Sequence, residues 1–294
     1  MGKKPLFALV AMAAFCVTAL AQTMPIQIFE DSQSAPLWKE EGDALSAQGQ
    51  FEEAIKRYDI ALQMAPSDAE LLTGKGFALC DLGRFNESLS CMDKAIELGP
   101  RKQAAWNNKG TVFDAMGNYE EALKCREIAL KIDPSYKLGW LNNGSTLATM
   151  GRYDEALKSY DEDVRLDPNS EDAWYNRAVV LGNMSRFEEA VQNSDRALEL
   201  NPRDAVAWSN KARFLIALER YEESIQACDK ALEIDPNYAM AWSNKGNALC
   251  GLGKHDEGIK CCEKATELGL ESDEGDRRCP WLDNRTTHSG LHWK

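Results

Sequence analysis

Apolar and small side chains recur at helical spacing through residues 103–136, in two sets that a short break separates. Steps of three and four residues place each set on one face of a helix. Gly117 and Asn118 interrupt the pattern, and Pro134 ends the second helix because a proline pushes the preceding residue out of the helical region. The segment predicts two antiparallel helices of about 12–14 residues joined by a tight turn. The two sets are Trp106, Gly110, Phe113 and Met116, then Tyr119, Ala122, Leu123, Ala129, Leu130 and Ile132.

This helix pair recurs seven times between Ala35 and Leu270, at a period of 34 residues. Tryptophan stands at the fourth position of six copies, with Leu72 in the remaining one, and six copies close on a proline. Such a period is typical of a solenoid of repeats that are each too small to bury their own apolar face. The fold is therefore expected to offer a long exposed surface rather than a catalytic pocket. The predicted repeats are residues 35–68, 69–102, 103–136, 137–170, 171–204, 205–238 and 239–270.

Several other positions hold one kind of side chain in nearly every copy. Position 8 is glycine or alanine, position 17 is an aromatic ring in six copies, and position 20 is alanine, serine or glycine. With Trp at position 4, Gly at 15, Ala at 27 and Pro at 32, the pattern resembles the tetratricopeptide repeat. The resemblance implies an all-α solenoid, a right-handed superhelix of antiparallel helix pairs whose first helices line a concave groove. Proteins of this family mostly serve as non-catalytic scaffolds for protein interaction.

By the same resemblance, positions 2, 5, 9, 12 and 13 of each repeat face the groove. In repeats four to six they form an apolar strip with an aromatic ring and few charges, where a partner peptide or helix could lay its apolar side. Position 6 adds a ladder of asparagine amides that could grip a ligand backbone. Two alternatives stay open: the groove residues vary because nothing binds them, or the asparagines bond within the helix stack. The candidate contacts are Leu138, Leu141, Tyr175, Val179, Asn176, Asn210, Arg213 and Ile216.

Some family members grip the C-terminal carboxylate of a chaperone tail with Lys and Asn side chains at set positions. The first repeat has Lys39, but Asp43 stands where the clamp needs Asn, and Gly74 stands at the next Asn position. No later window fits better. A carboxylate-clamp chaperone tail is therefore not expected as a partner.

Residues 1–21 do not share the repeat and have the layout of a secretory signal peptide. Lys3 and Lys4 form a positive start, residues 6–20 are apolar, and a small-x-small site ends at Ala21. The apolar stretch is shorter than the roughly 20 residues of a spanning helix, so we expect cleavage, followed by a linker over residues 22–34. The protein would then be exported and extracytoplasmic: secreted, periplasmic or at the cell surface. The alternatives are retention as an anchor and a lipoprotein at Cys16.

The chain beyond the last repeat is irregular. Residues 271–294 show no helical period, and their Gly, Pro and charge content predicts a disordered tail. Arrays of this family usually end in an extra helix that covers the last apolar face, so we expect residues 259–268 to be left exposed. Such an end could meet a partner or another copy; a truncated or shifted reading frame after Gly269 is the alternative.

Charge and composition exclude several other functions. The net charge of −13 disfavours nucleic acid and anionic lipid as partners, so membrane contact is expected only if the leader is retained. We expect no enzyme activity, cofactor or metal. The three histidines are His255, His288 and His292, and His255 lacks a paired metal-ligand spacing with Cys261 and Cys262.

Two kinds of residue depart from the repeat pattern: a carboxylate at a position that is normally buried, and cysteines that recur at the same positions of different repeats. Asp163 replaces the alanine of position 27, and a buried carboxylate needs a partner, so we expect an ion pair with Arg126 or Arg177. Cysteines recur at positions 12 and 23 of two repeats, on helix faces too far apart for a disulfide, and at the interior position 24, where they would fill space as small apolar residues. These cysteines are Cys80, Cys91, Cys250 and Cys261, and then Cys228 and Cys262.

These features predict an exported, non-catalytic scaffold that holds a partner peptide or helix in its groove. One alternative is a structural subunit of a cell-envelope assembly, joined through the uncapped C-terminal end of the array. Concentration-dependent self-association would favour that alternative. An accessory domain of an enzyme is the least consistent with the residues present.

Overall fold

The computed structural model describes residues 34–270, and each regular element in that range is an α-helix. Each predicted repeat holds one helix pair, so the all-α solenoid of tandem helix pairs is confirmed. The predicted leader and tail, and nearly all of the linker, lie outside the described residues. The helices are α1 (Ala35–Ala47), α2 (Phe51–Met64), α3 (Ala69–Asp81), α4 (Phe85–Leu98), α5 (Gln103–Ala115), α6 (Tyr119–Ile132), α7 (Lys137–Thr149), α8 (Tyr153–Leu166), α9 (Glu171–Asn183), α10 (Phe187–Leu200), α11 (Ala205–Ala217), α12 (Tyr221–Ile234), α13 (Ala239–Gly251) and α14 (His255–Glu267).

The helices form two compact units. The first unit ends at Met116 and contains α1 to α5, and the second starts at Gly117 and contains α6 to α14. Buried apolar side chains from successive helices hold each unit together. They include Trp38, Tyr58, Leu71 and Leu79 in the first unit and Leu147, Tyr160, Val180, Leu181, Phe214 and Leu215 in the second. Across residues 34–270, no helix is both long and apolar enough to cross a membrane.

Small residues at positions 8 and 20 let the two helices of a pair lie close together. A Cβ atom added to Gly144 would lie 2.5 Å from Cε1 of Tyr160 on the second helix. Where position 20 is serine, its hydroxyl donates to the carbonyl of position 8: Ser88 to Gly76 at 2.6 Å and Ser224 to Ala212 at 3.0 Å. A larger side chain at either position would push the helices apart.

The turn between the helices of a pair places position 15 in the left-handed backbone region. Five repeats have glycine there, with φ between 72° and 79°. Repeats five and six have Ser185 and Glu219 instead, both with φ of 58°. Residues with a Cβ atom rarely adopt this conformation, so the packing of the flanking helices imposes it at these two turns.

A cation at position 7, where the family often has leucine, joins each first helix to the helix before it at five junctions. The nitrogen–oxygen distances are 2.5–3.1 Å, and the cationic side chains are only 19–25% exposed. A part-buried ion pair thus takes the place of an apolar contact. The pairs are Lys75–Asp59 and Lys109–Asp93 in the first unit and Arg177–Asp161, Lys211–Asp195 and Lys245–Asp229 in the second. The fourth repeat has Asn143 at this position.

Candidate functional site

The first helices of repeats four to six, α7, α9 and α11, carry the side chains predicted to line a groove. Leu138 at position 2 of repeat four is 48% exposed, and Val206 at the same position of repeat six is 42% exposed. Large apolar side chains held in solvent on a folded helix are candidates for contact with a partner. The predicted site included Leu138 but not Val206, although both have the same repeat position.

Three other predicted contacts, Leu141, Val179 and Ile216, are half-buried. Leu141 packs against the buried cluster that contains Leu147 and Tyr160. Its side chain therefore supports the helix stack as well as the surface of α7. A change at Leu141 would alter folding and binding together, whereas a change at Leu138 would act on the surface alone.

The asparagines of position 6 divide into two kinds. Asn210 Nδ2 donates to the hydroxyl oxygen of Tyr175 at 2.9 Å, and Asn244 Nδ2 donates to the carbonyl and the hydroxyl of Ser209, each at 3.0 Å. Each acceptor lies 35 residues earlier, at position 5 of the preceding repeat. These two amides bond within the helix stack, as the structural alternative predicted.

Asn176 differs because the residue 35 positions before it is Leu141, whose side chain has no acceptor. Within residues 34–270 the half-buried Asn176 amide makes no side-chain hydrogen bond. A free amide can donate to one peptide group and accept from another. Asn176 is thus open to a ligand backbone, and it is the open amide among those of the ladder on α7, α9 and α11; Asn108 on α5 of the first unit likewise makes no side-chain hydrogen bond within residues 34–270. The signal was present in the sequence as the apolar residue at position 5 of repeat four.

Tyr175 and Arg213 add polar chemistry to the same surface. Burial raises the pKa of the Tyr175 phenol, and Asp204 and Tyr238 act in the same direction, so the hydroxyl stays protonated at neutral pH. Its oxygen accepts from Asn210, which leaves its proton available for a ligand. The Arg213 guanidinium carbon lies 5.0 Å from the centre of the Phe214 ring and makes no ion pair with the described residues. Arg213 can therefore pair with a carboxylate of a partner.

Lys39, at the lysine position of the chaperone-tail clamp in the first repeat, lies among acidic side chains. Lys39 Nζ lies 3.1 Å from Asp43 Oδ2 and 3.7 Å from Glu70 Oε2. The lysine that would grip a carboxylate is therefore already engaged with acidic neighbours, and Asp43 would repel one.

The ion pair predicted for Asp163 is wrong. Its Oδ2 accepts a hydrogen bond from Ser170 Oγ at 2.9 Å, while Arg177 pairs with Asp161 and the Arg126 guanidinium donates to Thr146 Oγ1. Both arginines that the sequence offered as partners are therefore engaged with other groups. Burial raises the pKa of the Asp163 carboxyl, and the Ser170 hydrogen bond opposes this shift.

The cysteines of the described residues are free thiols except for Cys262. Cys80, Cys91, Cys250 and Cys261 are free thiols, as expected, and Cys228 is buried and free. Cys262 was expected as a simple core residue but is disulfide-bonded. Residues 34–270 contain no group of three His, Cys, Asp or Glu side chains arranged to hold a metal ion.

The expectation that the last repeat helix would expose its apolar residues is not met by α14. Ile259, Cys262 and Ala265 are 8%, 2% and 1% exposed. These residues follow one another at intervals of three, so they share one face of α14, and the neighbour with which α14 makes its most extensive contact is α13.

Comparison with solved structures shows the same architecture elsewhere. A structure of MamA is 26% identical, with a TM-score of 0.52 over 54% of this chain and 93% of that one. The structure described as YrrB, a TPR protein with an unusual peptide-binding site, is 21% identical, with a TM-score of 0.56 over 66% of this chain and 97% of that one. That of pilF from Pseudomonas aeruginosa is 18% identical, with a TM-score of 0.63 over 74% of this chain and 97% of that one.

A search of curated protein sequences found no match. Profiles of repeat families do match the chain, in agreement with the structural likeness. Two profiles described as tetratricopeptide repeat and one described as TPR repeat match segments that together span more than half of the chain: residues 104–136, 171–204 and 205–238, then 227–260, and 42–79 and 144–185. The chain therefore belongs to the tetratricopeptide repeat family.

Proposed function

We propose that this protein is a non-catalytic scaffold that binds a partner peptide or helix on the surface formed by α7, α9 and α11. The observation that carries the proposal is the Asn176 amide, which lacks a hydrogen-bond partner within the described residues and lies on α9, the first helix of the repeat that follows the one with the exposed Leu138. An unused amide and an exposed apolar side chain on the first helices of successive repeats suit a ligand that offers both backbone groups and an apolar residue.

The polar groups of the surface define the chemistry of the partner further. The Tyr175 hydroxyl has a proton to donate, and Arg213 has no ion pair within residues 34–270. A matching segment would present an apolar side chain to Leu138, a peptide group to Asn176 and a carboxylate to Arg213. The acidic character of the whole chain makes Arg213 the selective element, because an acidic segment would be repelled elsewhere on the surface.

A capture experiment with surface variants tests the proposal. The chain without residues 1–21 would be used as bait against the native envelope fraction and the culture medium of its source. Leu138→Glu combined with Asn176→Ala should lose a partner that the parent captures. A matched control, Met64→Glu combined with Leu98→Glu, alters two side chains that are each 46% exposed in the first unit and should keep that partner.

The outcomes separate the candidate surfaces. Loss of the partner in both variants, or retention in both, would contradict binding on α7, α9 and α11. Capture of a second copy of this chain, equally by the parent and both variants, would instead support assembly through the last repeat. Circular dichroism of each variant should show unchanged helix content, because all the altered side chains lie at least partly in solvent.

We further propose that the protein is exported through a cleaved leader over residues 1–21. The support is the sequence layout of charged start, apolar stretch and small-x-small site. Mass spectrometry of protein purified from its source should find a mature chain that begins at Gln22. An intact Met1 start in the cytoplasmic fraction would contradict export, and a lipid-modified Cys16 would favour the lipoprotein alternative.

A further inference from the structure

The last three repeats share one arrangement of tryptophan, cation and carboxylate. The cation at position 7 lies over the ring of the tryptophan at position 4, at 5.3, 5.2 and 5.7 Å from the ring centre, and pairs with an aspartate on the preceding helix at 3.1, 2.5 and 2.6 Å. In each of these three repeats, the cation at position 7 therefore contacts both the tryptophan ring and the carboxylate. The sets are Trp174, Arg177 and Asp161; Trp208, Lys211 and Asp195; and Trp242, Lys245 and Asp229.

The fourth repeat keeps the ring and the carboxylate but lacks the cation. Trp140 and Glu127 hold the positions of the tryptophan and the acid, while position 7 is Asn143. Asn143 Nδ2 donates to Ser159 Oγ at 2.9 Å and so bonds to the second helix of its own repeat. No cation lies over the Trp140 ring within the described residues. An open cleft of about 520 Å³ lies at this junction, lined by Trp140, Asn143 and Glu127 among others.

We propose that this cleft binds a lysine or arginine side chain of a partner protein, at the place that the chain's own lysine or arginine fills in repeats five to seven. The partner's cation would lie over Trp140 and pair with Glu127. An aromatic face and a carboxylate together are the recognised environment for a basic side chain. The volume lies within the range of ordinary ligand sites.

The charges around the cleft permit this occupant. Glu127 Oε1 accepts from Lys131 Nζ at 2.6 Å, but both side chains are more than 60% exposed, and such solvent-exposed pairs exchange partners at little cost. Two further cations line the cleft and are paired: Arg152 with Glu155 at 2.7 Å and Glu120 at 3.6 Å, and Lys124 with Glu121 at 2.6 Å. The net charge of −13 favours the approach of a basic segment.

The cleft is separate from the surface proposed above for a partner peptide. Trp140 and Asn143 project from the face of α7 opposite Leu138, because residues two or five apart on a helix point in different directions. One partner segment could therefore occupy each side of α7. Failure of the groove experiment would leave this proposal intact, and the reverse also holds.

Titration of the full chain with small cationic probes tests the cleft. The indole N–H resonance of Trp140, identified by its loss in Trp140→Phe, would be followed during addition of N-acetyl-arginine-N-methylamide or the lysine equivalent. Both should shift it saturably. The citrulline equivalent has the shape of arginine without its charge and should bind roughly three- to tenfold more weakly, the size of a cation–π contribution.

Two variants with matched controls locate the binding. Asn143→Lys supplies the missing cation from within and should abolish the saturable shift, whereas Asn237→Lys adds the same charge in an exposed turn and should bind as the parent does. Glu127→Gln should weaken binding about three- to tenfold. Its control is Glu233→Gln, since Glu233 is an equally exposed glutamate, paired with Lys230.

A last comparison distinguishes a partner side chain from a free amine. The peptide acetyl-Gly-Gly-Arg-Gly-Gly-amide should bind at least as tightly as the blocked arginine, and putrescine should bind no more tightly. Putrescine binding tenfold tighter than both would overturn the assignment to a protein partner. An unshifted Trp140 resonance, equal binding of the citrulline probe, or unaltered binding by Asn143→Lys would overturn the cleft itself.

Discussion

Ser170 donates its hydroxyl to Asp163 across 2.9 Å and does not use that hydroxyl to cap α9, the helix that it precedes. At the same place in two other repeats, Asp68 and Asp204 cap their helices by accepting from two backbone amides each. Asp163 is 1% exposed, and this hydroxyl is its only side-chain hydrogen-bond donor among the described residues. Ser170 therefore serves the buried carboxylate at the expense of the helix end.

Replacing Asp163 by the alanine that the other repeats have should stabilise the protein. A buried carboxylate with one hydrogen bond carries an uncompensated desolvation cost, so Asp163→Ala should raise the free energy of unfolding at pH 7 by about 1 kcal/mol. Asp163→Asn keeps the shape and removes the charge, and it should act in the same direction. Thermal unfolding followed by circular dichroism measures both.

The pH dependence of this gain follows from the raised pKa of Asp163, which has burial as its main cause. Since the folded pKa lies above the unfolded one, ionisation favours unfolding, and the cost grows as the pH rises above the unfolded value near 4. The difference between the variant and the parent should therefore be largest at neutral pH and shrink towards pH 4. A difference that grows on acidification would contradict this account.

The sequence predicted the helix pairs because their apolar spacing repeats without interruption, so each repeat supports the interpretation of the next. The same reasoning failed for Asp163, whose partner depends on where Arg126 and Arg177 point in three dimensions. The position 7 cations were visible as a departure from the family, but their contact with the tryptophan ring is set by the distance between neighbouring repeats. The unbonded amide of Asn176 could have been predicted by one further comparison, because Leu141, at position 5 of the preceding repeat, has no hydrogen-bond acceptor in its side chain.

The left-handed turn residues predict a stabilising change to glycine. Glu219→Gly and Ser185→Gly should each raise the free energy of unfolding by about 0.5–1 kcal/mol, because glycine adopts a φ of 58° without the clash of a Cβ atom. Glu188→Gly, the same kind of change in the first turn of the helix α10, should lower it by about 1 kcal/mol, because glycine has a low helix propensity and the acidic side chain near the helix N-terminus is lost. Opposite signs for Glu219→Gly and Glu188→Gly in chemical unfolding are the expected result, and equal signs would show that the turn is not strained.

The ion pairs at position 7 predict a graded response to loss of the cation. Lys211→Met keeps the packing over Trp208 but removes the charge beside Asp195, so it should cost about 1 kcal/mol and less at high salt. Lys230, paired with Glu233 three residues along the same exposed helix face, offers the control. Lys230→Met should leave the melting temperature nearly unchanged, and an equal loss in both variants would show that the junction has no special contribution.

The buried phenol of Tyr58 should make the protein less stable at alkaline pH, and this effect depends on its hydroxyl group. Its hydroxyl donates to Asp43 Oδ1 at 2.7 Å, and burial raises the pKa of the phenol from its ordinary value of 10 to about 12. Between these values the unfolded chain loses the proton while the folded chain keeps it. Because the folded pKa is the higher one, the contribution is intact below pH 10 and falls by about 2–3 kcal/mol as the pH rises to 12.

Tyr58→Phe removes both the hydrogen bond and the titration, so its effect should change sign with pH. At pH 7 the variant should be less stable than the parent by about 1 kcal/mol, the usual contribution of one hydrogen bond. Lysines, cysteines and the other tyrosines titrate alike in both proteins and cancel in the difference. Urea unfolding at pH 7, 9, 10 and 11 should show the two midpoints converge above pH 10 and then cross. A constant gap between the midpoints over that range would mean that water reaches the Tyr58 hydroxyl in the folded protein.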